Sequence, residues 1–216
     1  SCGGQVVLPE SFLLELYQQF RKDGMVMIAD EVQTGLGRIG SHMWAFEAEG
    51  LSPDIVTIGK PFGNGHPLAA VVCTEEIADS FSNGMEYFNT FGGNPVSCAI
   101  GLEVLRTIEE NKLQNHALGL GQFLKGELVA IAGKYPLIAD VRGRGLFIGW
   151  EFADPETKAP LAEKARFFVN EMKRYGVLLS TDGPYHNVVK LKPPMVFTRP
   201  QAEYLIEMMQ WVMRYV

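Results

Sequence analysis

Apolar and polar positions along the chain alternate between helical and extended periods. In "PESFLLELYQQFRKDG", Phe12, Leu13, Leu16, Tyr17 and Phe20 fall on one face of a predicted amphipathic helix that Gly24 ends. Three short apolar runs come next, at residues 25–29, 55–58 and 68–74. Unbroken runs of this length, separated by helices and loops, predict strands buried on both faces of an α/β sheet. Pro95 opens a predicted helix that runs to Glu110, and another is expected over residues 118–132. After Pro136 the texture changes. "LIADVRGRGLFIGWEF" alternates around glycines as paired strands do, residues 163–175 form an amphipathic helix stopped by Gly176, and 177–180 and 188–191 read as strands. Thr198 and Gln201 have the spacing of a capping box before a last helix. The pattern divides into an α/β portion over 1–110 and a smaller α+β portion over 111–216, without internal repeats.

Composition changes this picture little. With 47% hydrophobic residues, 216 residues suffice for a packed core. A formal charge of −6 and the lack of a basic cluster argue against nucleic acid or an anionic membrane as partner. No apolar run reaches the ~20 residues of a spanning helix. Cys2, Cys73 and Cys98 are odd in number and lack metal-ligand spacing, so they read as reduced thiols of a cytoplasmic protein, with Cys73 expected in packing. His42, His66, His116 and His186 likewise share no metal spacing, and no metal is expected. The opening "SCGGQVVLPE" lacks the features of a signal peptide. It has no initiating methionine, which suits a piece of a longer polypeptide.

Gly35-Leu36-Gly37-Arg38-Ile39-Gly40 fits G-x-G-x-x-G, the spacing of a dinucleotide fingerprint. That fingerprint needs its first glycine directly after a strand and its last inside a helix, so that pyrophosphate meets the helix N-terminus. Here residues 30–34 intervene, and "SHMWAFEAEG" beyond Gly40 holds no long amphipathic helix. The acidic residue expected ~20 positions on would be Asp54, which precedes a strand instead of ending one. These glycines read as a loop turning closely around something else.

Asp30 ends the run 25–29 and Lys60 lies just beyond the run 55–58, where open α/β sheets bind ligands. A lysine amine condenses with an aldehyde cofactor, and a carboxylate keeps a heterocyclic nitrogen protonated; together they suit pyridoxal phosphate. A solvated acid and lysine at strand ends have the same spacing.

The segments "IADEVQTGLGRIG", "PDIVTIGKPFGNGHPLAAV" and "NTFGGNPVSCAIGLEVL" resemble, in order and spacing, the signatures of class III (ω-type) pyridoxal-phosphate-dependent aminotransferases. The resemblance covers essentially the whole chain. It implies part of the large domain of the fold type I aminotransferase architecture, followed by its smaller C-terminal domain. By position, it implies that Lys60 forms the Schiff base and moves the proton, and that Asp30 pairs with the ring nitrogen. Val32 would pack on the ring face, Gln33 would approach the ring hydroxyl, and Thr90 would reach the cofactor phosphate of the neighbouring subunit in a homodimer. The resemblance also implies that the phosphate-holding turn and the ring-stacking aromatic belong to a missing first half, so that the 216-residue piece alone is inactive.

Family members acting on amino acids usually carry an arginine shortly before a Pro-Pro pair, as a fork for the substrate carboxylate. In "NVVKLKPPMVFT" Lys190 stands there, a point charge without the planar fork but a reasonable phosphate partner. That segment and "GMEYFNTFGGNPVSCA" resemble most the phospho-lyase branch acting on phosphoethanolamine or phosphohydroxylysine. Three readings follow: a phospho-lyase on a small O-phosphorylated amine, an ω-aminotransferase using a keto acid, or a silent dimerisation module. Arg142 and Arg144 in "VRGRG" suit either a substrate phosphate or an inter-strand role.

Overall fold

The first apolar repeat forms the helix α1 (Phe12–Lys22). The run 25–29 becomes strand only from Ile28, continuing to Asp30 as β1 (Ile28–Asp30), and the run 55–58 forms β2 (Ile55–Ile58); the two pair in parallel with Asp30 opposite Thr57. β3 (Ala70–Cys73) adds to β2 antiparallel, giving a three-stranded sheet in the order β1-β2-β3. A short helix, α2 (Glu75–Phe81), and the long α3 (Pro95–Glu110) complete this part. Asn94 caps α3 through a hydrogen bond from the Ser97 amide, and Pro95 takes the first-turn position that needs no N–H.

This computed structural model describes residues 2–216 and separates into two compact units. One contains Leu8–Gly37 and His42–Gln114; the other contains Arg38–Ser41, Asn115–Val216 and the segment up to Val7.

The sheet of the first-named unit is not buried on both faces as its apolar runs predict. Ile28, Val71 and Val72 are 60%, 67% and 56% exposed, because three strands leave apolar faces that nothing in this unit covers. Cys73, expected in packing, is exposed on β3 for the same reason, and Cys2 and Cys98 are exposed too. What orders this unit locally is polar. Asp54 accepts a hydrogen bond from the Met27 amide (2.7 Å) and pairs with Arg21 (2.5 Å). The Met27 N–H foremost, and Arg21 after it, hold the Asp54 carboxyl below its ordinary value of 3.8. A carboxyl that binds its proton less readily when folded favours the fold above the ordinary carboxylate range. That contribution disappears as pH falls through its depressed pKa. Thermal melts taken from about pH 7 to about pH 3 are expected to show stability falling at the acid end, and Asp54→Asn to flatten the fall. An identical acid slope in the variant would contradict this role.

The other unit has its own core. Its sheet runs β4-β5-β7-β6, all neighbours antiparallel, from β4 (Ile138–Arg144), β5 (Phe147–Phe152), β6 (Ser180–Asp182) and β7 (Val188–Leu191). The extended segment expected at 177–180 forms strand only from Ser180 onward. The helices α4 (Leu113–Ala132), α5 (Ala162–Arg174) and α6 (Arg199–Val212) pack Leu124, Leu128, Phe168, Met172 and Met209 against Trp150 and Phe152 of β5. Thr198 and Gln201 form the predicted capping box. Trp150, Phe152 and Phe168 meet with ring centroids 5.3–5.7 Å apart, a spacing at which edge-to-face pairs add to area burial.

Candidate active site

Asp30 is the last residue of β1 and Lys60 lies two residues past the end of the adjacent parallel β2, the position from which α/β sheets present ligand-binding groups. Asp30 Oδ1 accepts from the Val32 amide (3.1 Å) and from Thr57 Oγ1 (3.3 Å). These bonds orient the carboxylate, and no group among the described residues bonds Oδ2. Lys60 begins the 3-10 turn Lys60–Gly63 with φ 44°, left-handed backbone that a residue with a Cβ adopts only at a cost of about 1–3 kcal/mol. Its amine is exposed and has no hydrogen-bond or ion-pair partner among the described residues. A strained lysine at a strand end with an unengaged amine is a nucleophile in waiting.

Val32 lies beside this turn. A Cβ built on Gly59 would stand 3.5 Å from Val32 Cγ1, so the valine packs on the peptide that precedes the lysine. The turn from Asp30 to Gln33 is fixed by Glu31, a buried carboxylate that accepts from Thr34 Oγ1 (3.0 Å) and the Phe46 amide (2.9 Å). Sequence reasoning passed over Glu31, since its partners lie three and fifteen residues on. His66 also proves structural: its Nε2 lies 2.7 Å from Ser97 Oγ, joining the segment after Lys60 to α3.

Thr90 sits on an exposed segment whose turn is held by Asn89 Oδ1, which accepts from the Phe91 and Gly92 amides. No hydrogen bond joins Thr90 to Asp30 or Lys60 among the described residues. Lys190 belongs to the other unit, on β7, where its amine pairs with Asp182 at 3.0 Å. Arg142 serves between strands: it pairs with Asp140 and Glu151 and donates to the Gly4 carbonyl.

The glycine motif is explained by packing. A Cβ on Gly40 (φ 79°) would meet the Leu118 backbone at 2.5 Å, one on Gly145 would meet Ile39 at 2.4 Å, and one on Gly121 would meet Gly145 at 2.3 Å. The loop thus interlocks with α4 and the β4–β5 turn, and no room is left for a pyrophosphate at these backbone atoms. Arg38, inside the motif, is buried and donates to the carbonyls of Leu146 and Pro193. Burial without a carboxylate partner lowers its pKa to about 10.

Comparison with known proteins agrees with this geometry. The family model described as Aminotransferase class-III matches residues 1–213. The chain belongs to the class III aminotransferase family. This is a family of pyridoxal-phosphate-dependent enzymes, and the chain has its α/β architecture. Over 206 residues it is 52% identical to the Drosophila melanogaster protein named alanine–glyoxylate aminotransferase 2-like, covering 94% of this chain and 42% of the relative. It is 42% identical to ethanolamine-phosphate phospho-lyase homolog 1 of Caenorhabditis elegans over 91% of this chain and 43% of the relative. A phospholyase from Arthrobacter, solved in complex with phosphoethanolamine, superposes with a TM-score of 0.96 at 39% identity over 100% of this chain and 51% of that one. The chain therefore spans about half the length of the class III proteins it matches.

The residues present fit the family cofactor. An acid with one oxygen engaged and one open, an unengaged lysine amine in the turn just past the adjacent strand, and a valine packed beside that turn suit a protonated pyridine aldehyde.

Proposed function

We propose that the complete polypeptide containing this chain is a phospho-lyase acting on a small O-phosphorylated amino alcohol such as phosphoethanolamine. The observation that carries the reading is Lys190. Where the family's amino-acid enzymes carry an arginine fork, this chain presents a point charge suited to phosphate, on the wall of a groove. Similarity to the phospholyase bound to phosphoethanolamine supports it. The 52% identity to the aminotransferase-named relative favours a second reading, ω-amino transfer to a keto acid.

Both reactions make the same demands on this chain's residues. When bound, the cofactor supplies an aldehyde and an electron-withdrawing ring. Lys60 would hold the cofactor through its Nζ and, once freed by the substrate amine, would take the proton from the substrate's amine-bearing carbon. Asp30 Oδ2 would keep the ring nitrogen protonated, Val32 would shield the ring face from water, and Gln33 would bond the ring hydroxyl. Lys190 would bind the substrate anion. A lyase outcome would release phosphate from the neighbouring carbon and leave aldehyde and ammonia after hydrolysis, whereas in an aminotransferase Lys60 would give its proton back and the amino group would pass to a keto acid.

Thr90 acts in the site of a second copy. Exposure of Phe81, Met85, Tyr87, Phe88 and Phe91 around it supports a homodimer, because an isolated chain seldom presents so many aromatic groups on one segment. The uncovered faces of β1 and β3 support a need for protein beyond this chain, so the 216 residues alone should bind the cofactor weakly. The exposed thiols suit a reducing compartment such as the cytoplasm.

Incubation of the complete protein with phosphoethanolamine decides between the reactions. Stoichiometric inorganic phosphate and ammonia are expected without any keto acid. Keto-acid-dependent build-up of the aminated cofactor, with no phosphate released, would replace the lyase by the aminotransferase.

A further inference from the structure

Lys190 does not stand alone on its strand. It lies opposite Ser180 in the β6–β7 pairing, and Asp182 lies two residues further along β6, hence on the same face and on the diagonal. Lys190 Nζ reaches Asp182 Oδ2 at 3.0 Å, with side-chain exposures of 22% and 15%. The same oxygen accepts from Gln5 Nε2 at 2.7 Å. Gln5 reaches it because β5 carries Gly149 opposite Lys190: a Cβ there would stand 3.0 Å from Gln5 Cβ and 3.1 Å from the Gly4 carbonyl. The N-terminal segment, the sheet and the lysine are thus built around one carboxylate.

Lys190 also lines a groove of about 800 Å³, together with Leu178, Ser180, Pro193 and Phe197; Asp182 is not among the lining residues. An ammonium has three donors, of which Asp182 engages one, so two remain for an anion in the groove. A carboxylate at this distance offsets part of the positive charge that an incoming anion would meet.

We propose that Asp182 is the positioning and specificity-setting partner of Lys190. It aims the ammonium into the groove and weakens its pull on phosphate, so that a phosphorylated amine is bound without the released phosphate being retained. This inference rests on the reading of Lys190 as the substrate-anion residue. Removal of the carboxylate's charge is expected to strengthen phosphate binding by about three- to tenfold, the range of a partly buried ion pair. The amide of Asp182→Asn keeps an oxygen for the lysine to bond.

The test is a double-mutant cycle in the complete, cofactor-loaded protein, using Lys190→Met, Asp182→Asn and the double variant. Calorimetry with inorganic phosphate as probe gives a Kd for each, thermal midpoints check folding, and phosphoethanolamine turnover is measured in parallel. Lys190→Met is expected to weaken phosphate binding, Asp182→Asn to tighten it and steepen its salt dependence. In the Lys190→Met background the second substitution is expected to do nothing. Should Asp182→Asn not fold, Asp182→Ser closes the same cycle. An unchanged Kd in Asp182→Asn, or a change that persists without Lys190, overturns the inference. Phosphate binding indifferent to Lys190→Met overturns it together with the Lys190 role. Failure of the lyase reading shows separately, as absent phosphate release from phosphoethanolamine while the Kd pattern holds.

Discussion

Replacing Lys60 by alanine in the complete protein is expected to abolish turnover, by roughly 10³-fold or more, because the proposed mechanism makes nucleophile and proton carrier one group. The expectation follows from position and chemistry together. Lys60 follows the end of β2, next to the strand that carries Asp30, in a left-handed backbone state. Its amine is committed to nothing among the described residues. An alanine there removes no packing, since the side chain is exposed without cofactor, so the thermal stability of the cofactor-free protein should hardly move. Lost activity with an unchanged melting temperature distinguishes a chemical role from a structural one. Retained turnover would mean that another amine does this work.

Asp30→Asn is the second large effect. The amide oxygen of asparagine can still accept from the Val32 amide and from Thr57, so the turn is expected to keep its shape. What would disappear is the anion proposed to face the ring nitrogen, and with it the group proposed to keep that nitrogen protonated. A loss on the order of 10²- to 10⁴-fold in kcat is expected, with a smaller change in KM. The absorption spectrum of the bound cofactor should shift with pH in the variant and not in the parent. A variant as active as the parent would remove Asp30 from the mechanism.

How much of this could be read from residues alone depended on range. Helices with a 3.6-residue apolar period formed close to where expected, except that the one expected over 118–132 starts at Leu113, and the caps at Asn94 and Thr198 work through residues three positions away. β2 and β7 are bounded as their apolar runs are. Long-range facts were illegible. Nothing local reveals that β3 runs antiparallel to β2, or that the faces holding Ile28 and Val71 stay uncovered. The start of β6 at Ser180 depends on pairing with β7, so the apolar run 177–180 misplaces it. With β6 misplaced, Asp182 cannot be seen as a neighbour of Lys190. The glycines at 40, 121 and 145 have meaning only once three distant segments meet. That Asp30 and Lys60 fall at the ends of adjacent strands was legible because strand ends are local.

The account stands on one covalent bond. Reducing the cofactor-loaded complete protein with borohydride, then digesting it and mapping the labelled peptide by mass spectrometry, tests that bond directly. The account predicts the pyridoxyl group on Lys60, within "TIGKPFGNG", and no labelled peptide in Lys60→Ala. A pyridoxyl group found on any other lysine, or undiminished labelling in Lys60→Ala, would contradict it.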